Sequence, residues 1–156
     1  MRLHFVWVGK TKDRHCAALV EDYLQRLRRF LPVEITEVRD VTTAGAETDE
    51  RVSREGTRLL AALSKEEHVI LLDERGDSLT TTQLVELLVK HQQGGTKRLA
   101  FVVGGFAGVN GTVRQRADQS LSLSRFTLTH EMARVLIAEQ LYRATSILAG
   151  FPYHKP

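Results

Sequence analysis

The chain has 156 residues, 42% hydrophobic and 26% charged, with a net charge of +3, which suits one compact domain and leaves no room for separate catalytic and binding domains. A lone cysteine, Cys16, excludes an intramolecular disulfide and a cysteine-rich zinc site. No apolar stretch approaches the roughly 20 residues that cross a bilayer, so no membrane partner is expected, and the setting expected is cytoplasmic.

The charge is uneven. Residues 1–95 hold 14 Lys/Arg against 16 Asp/Glu, and residues 96–156 hold 8 against 3. A basic C-terminal third favours a polyanion such as RNA, although a solvated face of paired arginines has the same composition.

In chain order, LHFVWVG (3–9) reads as a first strand, too short for a signal-peptide core. Val20, Leu24, Leu27 and Leu31 recur at helical steps over 13–31, and Pro32 stops that helix. VEITEV (33–38) predicts a second strand, and residues 40–50 an exposed loop. Val52, Leu59, Leu60 and Leu63 mark an inward face of a helix from about Asp49 to Leu63. HVILLD (68–73) reads as a central strand covered on both faces, followed by a turn at Glu74-Arg75-Gly76-Asp77. Thr80 and Gln83 have capping-box spacing for a helix reaching about His91.

RLAFVVGG (98–105) predicts a buried strand ending in paired glycines, and Thr112–Gln119 a short helix. LSLSRFTL (121–128) alternates like a strand or extended loop. The last helix, about 131–149, is apolar on more than one face through Met132, Val135, Leu136, Ile137, Leu141, Tyr142, Ile147 and Leu148. One sheet face covers one stripe of a helix, so the excess predicts a symmetric homodimer. Alternating strands and helices make the fold class α/β, a mainly parallel sheet with flanking helices.

Three segments carry candidate chemistry. Gly104 and Gly105 end a strand where ligands of open α/β sheets sit, and glycine lets backbone approach them. Their spacing gives neither GxGxxG nor a phosphate-loop GK[ST], so a nicotinamide oxidoreductase lacks its fingerprint. Ser122, Ser124, Thr127 and Thr129 supply hydroxyls and backbone groups suited to a flat heterocycle, as does any half-exposed strand. At the C-terminus, FPYHKP places Tyr153 to stack on a base and His154 to exchange a proton, against the ordinary fraying of tails. His130 stands where it could cap the last helix, and Arg143 follows Glu139 at ion-pair spacing. His4, His15, His68 and His91 have no metal-ligand spacing, and no metal is expected.

With these segments in view, the chain resembles the ribosomal large-subunit pseudouridine N3-methyltransferase family, of the SPOUT class. The likeness runs through LHFVWVGK, EDYLQRL, REGTRLL, HVILLDERG, FVVGGFAG, LSLSRFTLTHEMARVLIAEQLYRA and the closing PYHK. It implies a single domain over 1–156 with a C-terminal trefoil knot, and S-adenosylmethionine as cofactor. Its partners would be 23S rRNA in the ribosome and a second copy of the chain. The implied cofactor residues are Leu72, Gly104, Gly105, Leu123, Ser124, Arg125, Phe126, Thr127 and Leu128. The implied catalytic candidates are His154 and Tyr153, then Arg143 and His130. A non-catalytic RNA-binding module of the ribosome is the alternative, and it would show a denser basic and aromatic surface.

Overall fold

In the computed structural model, which describes residues 1–42 and 48–155, five strands form one parallel sheet in the order β2-β1-β4-β3-β5. The strands are β1 (Arg2–Val8), β2 (Val33–Val38), β3 (His68–Ser78), β4 (Arg98–Val103) and β5 (Gln119–Ser122). The helices between and after them are α1 (Arg14–Leu27), α2 (Thr48–Ala62), α3 (Thr81–Gln93), α4 (Gly111–Arg116) and α5 (His130–Leu148).

Side chains alternate across a strand, and here both faces are apolar. Leu3, Phe5 and Trp7 of β1 join Ile70, Leu99 and Phe101 on one face, under α1, α3 and α5. Val6, Val8, Val69, Leu71, Ala100 and Val102 line the other, under Leu59 of α2 and Val113 of α4. The sheet is therefore the middle of three layers. Because all strands run the same way, all their carboxyl ends meet at one edge.

Local chemistry sets the helix ends. Asp13 caps α1 by accepting the backbone N–H groups of His15 at 2.9 Å and Cys16 at 2.8 Å. Thr80 and Gln83 form the expected capping box on α3. α1 ends at Leu27, four residues short of the expected end, because Arg29 and Phe30 bond three residues back in a tight last turn before Pro32. α4 ends at Arg116, and Gln119 belongs to β5. Part of the expected 40–50 loop, residues 43–47, lies outside the described residues.

Residues 74–77 are not a turn. β3 runs on to Ser78, and its pairing with β5 shifts register between Leu72 and Asp77. Gly76 is there because the two backbones nearly touch. A Cβ at this position would lie 2.6 Å from Leu121 N and Ser120 C.

The apolar surplus of α5 is largely covered within the chain. α5 lies between α1 and α3, so Val135, Ile137, Ala138, Leu141, Tyr142 and Ala144 are all buried. Met132 and Leu148 stay exposed, as do Leu19 of α1 and Phe151 of the tail.

Gly76→Ala must push two backbones apart, and overpacking of this kind costs about 3 kcal/mol. A urea titration at fixed protein concentration should show the lower midpoint, and an unchanged midpoint would mean the crossing is slack.

Candidate functional site

The carboxyl ends of β3, β4 and β5 open into a cavity of about 680 Å³, within the usual range for a small-molecule site. Its walls come from three segments. Leu72, Asp73 and Glu74 lie in β3 where its pairing with β5 shifts register, Gly104 and Gly105 follow β4, and Ser122 to Thr129 lead from β5 into α5. Of the nine residues expected to hold a cofactor, eight line this cavity: Leu72, Gly104, Gly105, Leu123, Ser124, Phe126, Thr127 and Leu128. Arg125 is outside the lining, with its side chain exposed.

The loops are held by their own polar groups. Ser122 Oγ donates to Ser124 O at 3.0 Å, and the Phe126 N–H donates to Ser124 Oγ at 2.9 Å. Arg114 of α4 pairs with Asp73. Gly104 is required by packing, since a Cβ there would lie 2.8 Å from Val109 Cγ1. Phe126 is 85% exposed and Phe106 is 81% exposed, so two bare phenyl rings stand at the mouth.

α5 forms the remaining wall. Thr129, not His130, caps it by accepting the Met132 N–H at 3.2 Å. His130 instead lines the cavity, where burial first and the Arg134 charge second push its pKa below the ordinary 6.5. It is neutral at neutral pH. Glu131 accepts the backbone N–H groups of Lys12 and Asp13, which binds the β1 exit loop to the start of α5.

Arg134 completes that joint from below and is fully buried. Its Nη2 donates to Val8 O at 2.5 Å, and its Nη1 to Gly9 O at 3.1 Å and Thr11 Oγ1 at 3.0 Å. The guanidinium also lies 5.1 Å from the Trp7 ring centre. Nothing in the sequence around it, EMARVLIA, marks this arginine off from one on a solvated helix face. Its burial among apolar neighbours was the only signal.

The other three candidates gather elsewhere. Arg143 grips Glu139 through Nε at 3.0 Å and Nη2 at 2.5 Å, so the expected i,i+4 pair forms. Its guanidinium covers the Tyr153 ring at 4.8 Å, and Tyr153 donates to Glu139 Oε1 at 3.1 Å. Nη1 of Arg143 lies 3.4 Å from His154 Nδ1, which must accept because arginine only donates. The tail is docked rather than frayed. Burial, with hydrogen bonds to Tyr23 and Glu139, pushes the Tyr153 phenol well above its ordinary value, so it stays protonated and serves as a donor. Thirteen residues of helix separate Arg143 from His130, about 20 Å along the axis, and none of the three lines the cavity.

Two comparisons bear on this arrangement. The family model described as "Predicted SPOUT methyltransferase" matches residues 1–154. The curated "Ribosomal RNA large subunit methyltransferase H" of Geotalea daltonii (strain DSM 22248 / JCM 15807 / FRC-32) is similar at 40% identity over 154 residues, 99% of each chain. Proteins of the same name from Geobacter sp. (strain M21) and Anaeromyxobacter sp. (strain K) are each 42% identical, over 99% of this chain and 99% and 100% of their own.

Arg134→Met keeps the volume but strips the donors from Val8 O, Gly9 O and Thr11. It should cost about 2–4 kcal/mol, the penalty for orphaning buried polar groups. Thermal unfolding would read this, and a loss below about 0.5 kcal/mol would show that water replaces the guanidinium.

Proposed function

This chain belongs to the SPOUT methyltransferase family, and on that premise we propose that it methylates N3 of a pseudouridine in large-subunit ribosomal RNA, using S-adenosylmethionine. The single observation that carries the reading is the convergence of eight expected cofactor residues from three separate segments on one cavity. No helix of the described residues is long and apolar enough to cross a membrane.

The cavity suits this cofactor. Its volume accommodates a nucleoside with an amino-acid arm, and the loop from Leu123 to Leu128 offers backbone groups to an adenine. Glu74 and Glu131 bring negative charge to the lining, and a neutral His130 adds no cation to oppose a sulfonium. S-adenosylmethionine, when bound, supplies an electrophilic methyl group on sulfur. Much of the rate then comes from holding donor and acceptor in line.

The acceptor nitrogen forms a bond to carbon as the sulfur–carbon bond breaks, and it must shed its proton. His154 is the proposed acceptor of that proton at Nδ1, the nitrogen that faces Arg143 within the chain and is released from it when the base binds. Arg143, always charged, offsets the negative charge that develops on the ring, and the protonated Tyr153, donating to Glu139, holds the carboxylate that aligns Arg143. These three lie too far from the cavity of their own chain, so the proposal has two copies pairing with the tail of one beside the cavity of the other. Leu19, Met132, Leu148 and Phe151 are exposed apolar side chains available to that pairing.

The test is transfer of a labelled methyl group from S-adenosylmethionine to ribosomes from cells lacking this protein, with mapping of the product. Label on a large-subunit pseudouridine is expected. Cofactor binding without label would mean a different substrate, and no cofactor binding would favour a non-catalytic RNA-binding module. His154→Ala should abolish turnover while cofactor affinity holds within about twofold, and unchanged turnover would remove His154 from the mechanism.

Acidity offers a second check. His130 is held neutral, so it becomes a cation only as pH falls below its lowered pKa, and cofactor affinity should decline there. Titration calorimetry from about pH 7.5 to 5.5 should show that loss in the parent and a flatter profile in His130→Gln. The charges acting on this imidazole are Arg134, Glu131, Lys12 and Glu55. Identical profiles would rule His130 out as the source.

A further inference from the structure

Beside the large cavity lies a smaller one of about 230 Å³, sharing with it Gly105, Phe106, His130 and Glu131. Its far side is the exit of β1, with Lys10 and Lys12, and its floor is α2, with Arg51 and Glu55. We infer that this second cavity receives the acceptor nucleotide, the base entering against Phe106 and the phosphate resting on Lys10, Lys12 and Arg51. The inference rests on the methyl-transfer reading and assigns the place where that reaction's other reactant sits.

Three features carry it. The first is position: the two cavities share Gly105, Phe106, His130 and Glu131, so a base here lies next to the cofactor cavity, where an in-line transfer needs its acceptor. The second is charge and shape. Lys10 and Lys12 are exposed, Lys12 with its Nζ 3.5 Å from Asp40 Oδ2 of the same lining, Arg51 is half-buried, and the Phe106 ring is 81% exposed on the shared lip. Cations at a rim with one bare aromatic ring are what a splayed nucleotide needs, since phosphates seek cations and unstacked bases seek a ring.

The third is Glu55, only 1% exposed and part of the cavity lining. Its Oε1 accepts the Val41 N–H at 3.1 Å and Arg51 Nε at 3.3 Å, which aims the arginine. Its Oε2 has no hydrogen-bond partner among the described residues and lies under Gly105. A buried acceptor left open beside a cavity calls for a donor. The pseudouridine ring presents N–H groups at N1 and N3, and with N3 turned to the methyl group it is N1–H that Glu55 Oε2 accepts.

The test uses the full chain and the same unmodified ribosomes. Lys10→Ala with Lys12→Ala should raise KM for ribosomes about tenfold and flatten its dependence on salt, with S-adenosylmethionine affinity within about twofold. Glu55→Gln keeps an acceptor for Val41 but turns a donor toward the base. It should lower kcat/KM at least about tenfold, again with cofactor affinity and urea midpoint retained. An active parent whose variants keep KM, salt slope and kcat/KM would overturn this assignment alone. A parent that transfers no methyl group would overturn the reading beneath it as well.

Discussion

A positive charge sealed inside the protein with no carboxylate bonded to it is the constraint on which the rest of the site depends. Arg134 gives its Nη1 and Nη2 donors to the carbonyls of Val8 and Gly9 and to Thr11, the residues where β1 leaves the sheet, while its Nε is buried without a partner among the described residues. Burying a guanidinium is costly, and it is tolerated only because several aligned acceptors replace water. The result is a rigid joint between the start of α5 and the edge of the sheet. Glu131 repeats the attachment from above by accepting the Lys12 and Asp13 N–H groups. Both cavities are bounded by this joint, so their relative placement follows from it.

The parallel sheet supplies the rest. With five strands in one direction, the carboxyl ends of β1, β3, β4 and β5 deliver their loops to the same edge. Segments distant in sequence, at 72–74, 104–109 and 122–131, become neighbours without any of them being long. The opposite edge carries a different chemistry. There His4 is buried between Glu67, 2.7 Å away, and Thr36, 2.8 Å away, while Arg98 binds the same Glu67 at 2.5 Å. Hydrogen bonds from Arg98, Ser64 and His4 hold the Glu67 carboxyl below its ordinary value against the desolvation that would raise it. That network closes the bottom of the sheet and leaves the top free for loops.

Much of this was legible before any coordinates, because its causes are local. β2 and the α3 capping box follow from alternation and from Thr80-Gln83 spacing. The Glu139–Arg143 pair follows from helical geometry alone. What was hidden is what tertiary contact decides. Glu-Arg-Gly-Asp has the composition of a turn, yet Gly76 is present so that β3 can pass close to β5. Lys10, Arg51, Glu55 and Phe106 lie on four separate segments, none unusual by itself, and only the fold makes them one cavity. The tail read as equally able to fray or to act, and its docking depends on Tyr142, Glu139 and Arg143, which sequence spacing does not connect to it.

Trp7 gives the joint an optical consequence. It is the only tryptophan in the chain, 1% exposed, and it sits directly beneath the Arg134 guanidinium. Its indole Nε1 is buried without a hydrogen-bond partner among the described residues, so its surroundings are dry. Any motion that lifts the start of α5 from β1 both removes the cation from the ring face and admits water to the indole. The emission of this one residue therefore shifts to longer wavelength with the opening of the joint, ahead of the general loss of helix that circular dichroism follows. The protein carries its own fluorescent gauge at the point where its two cavities are held together.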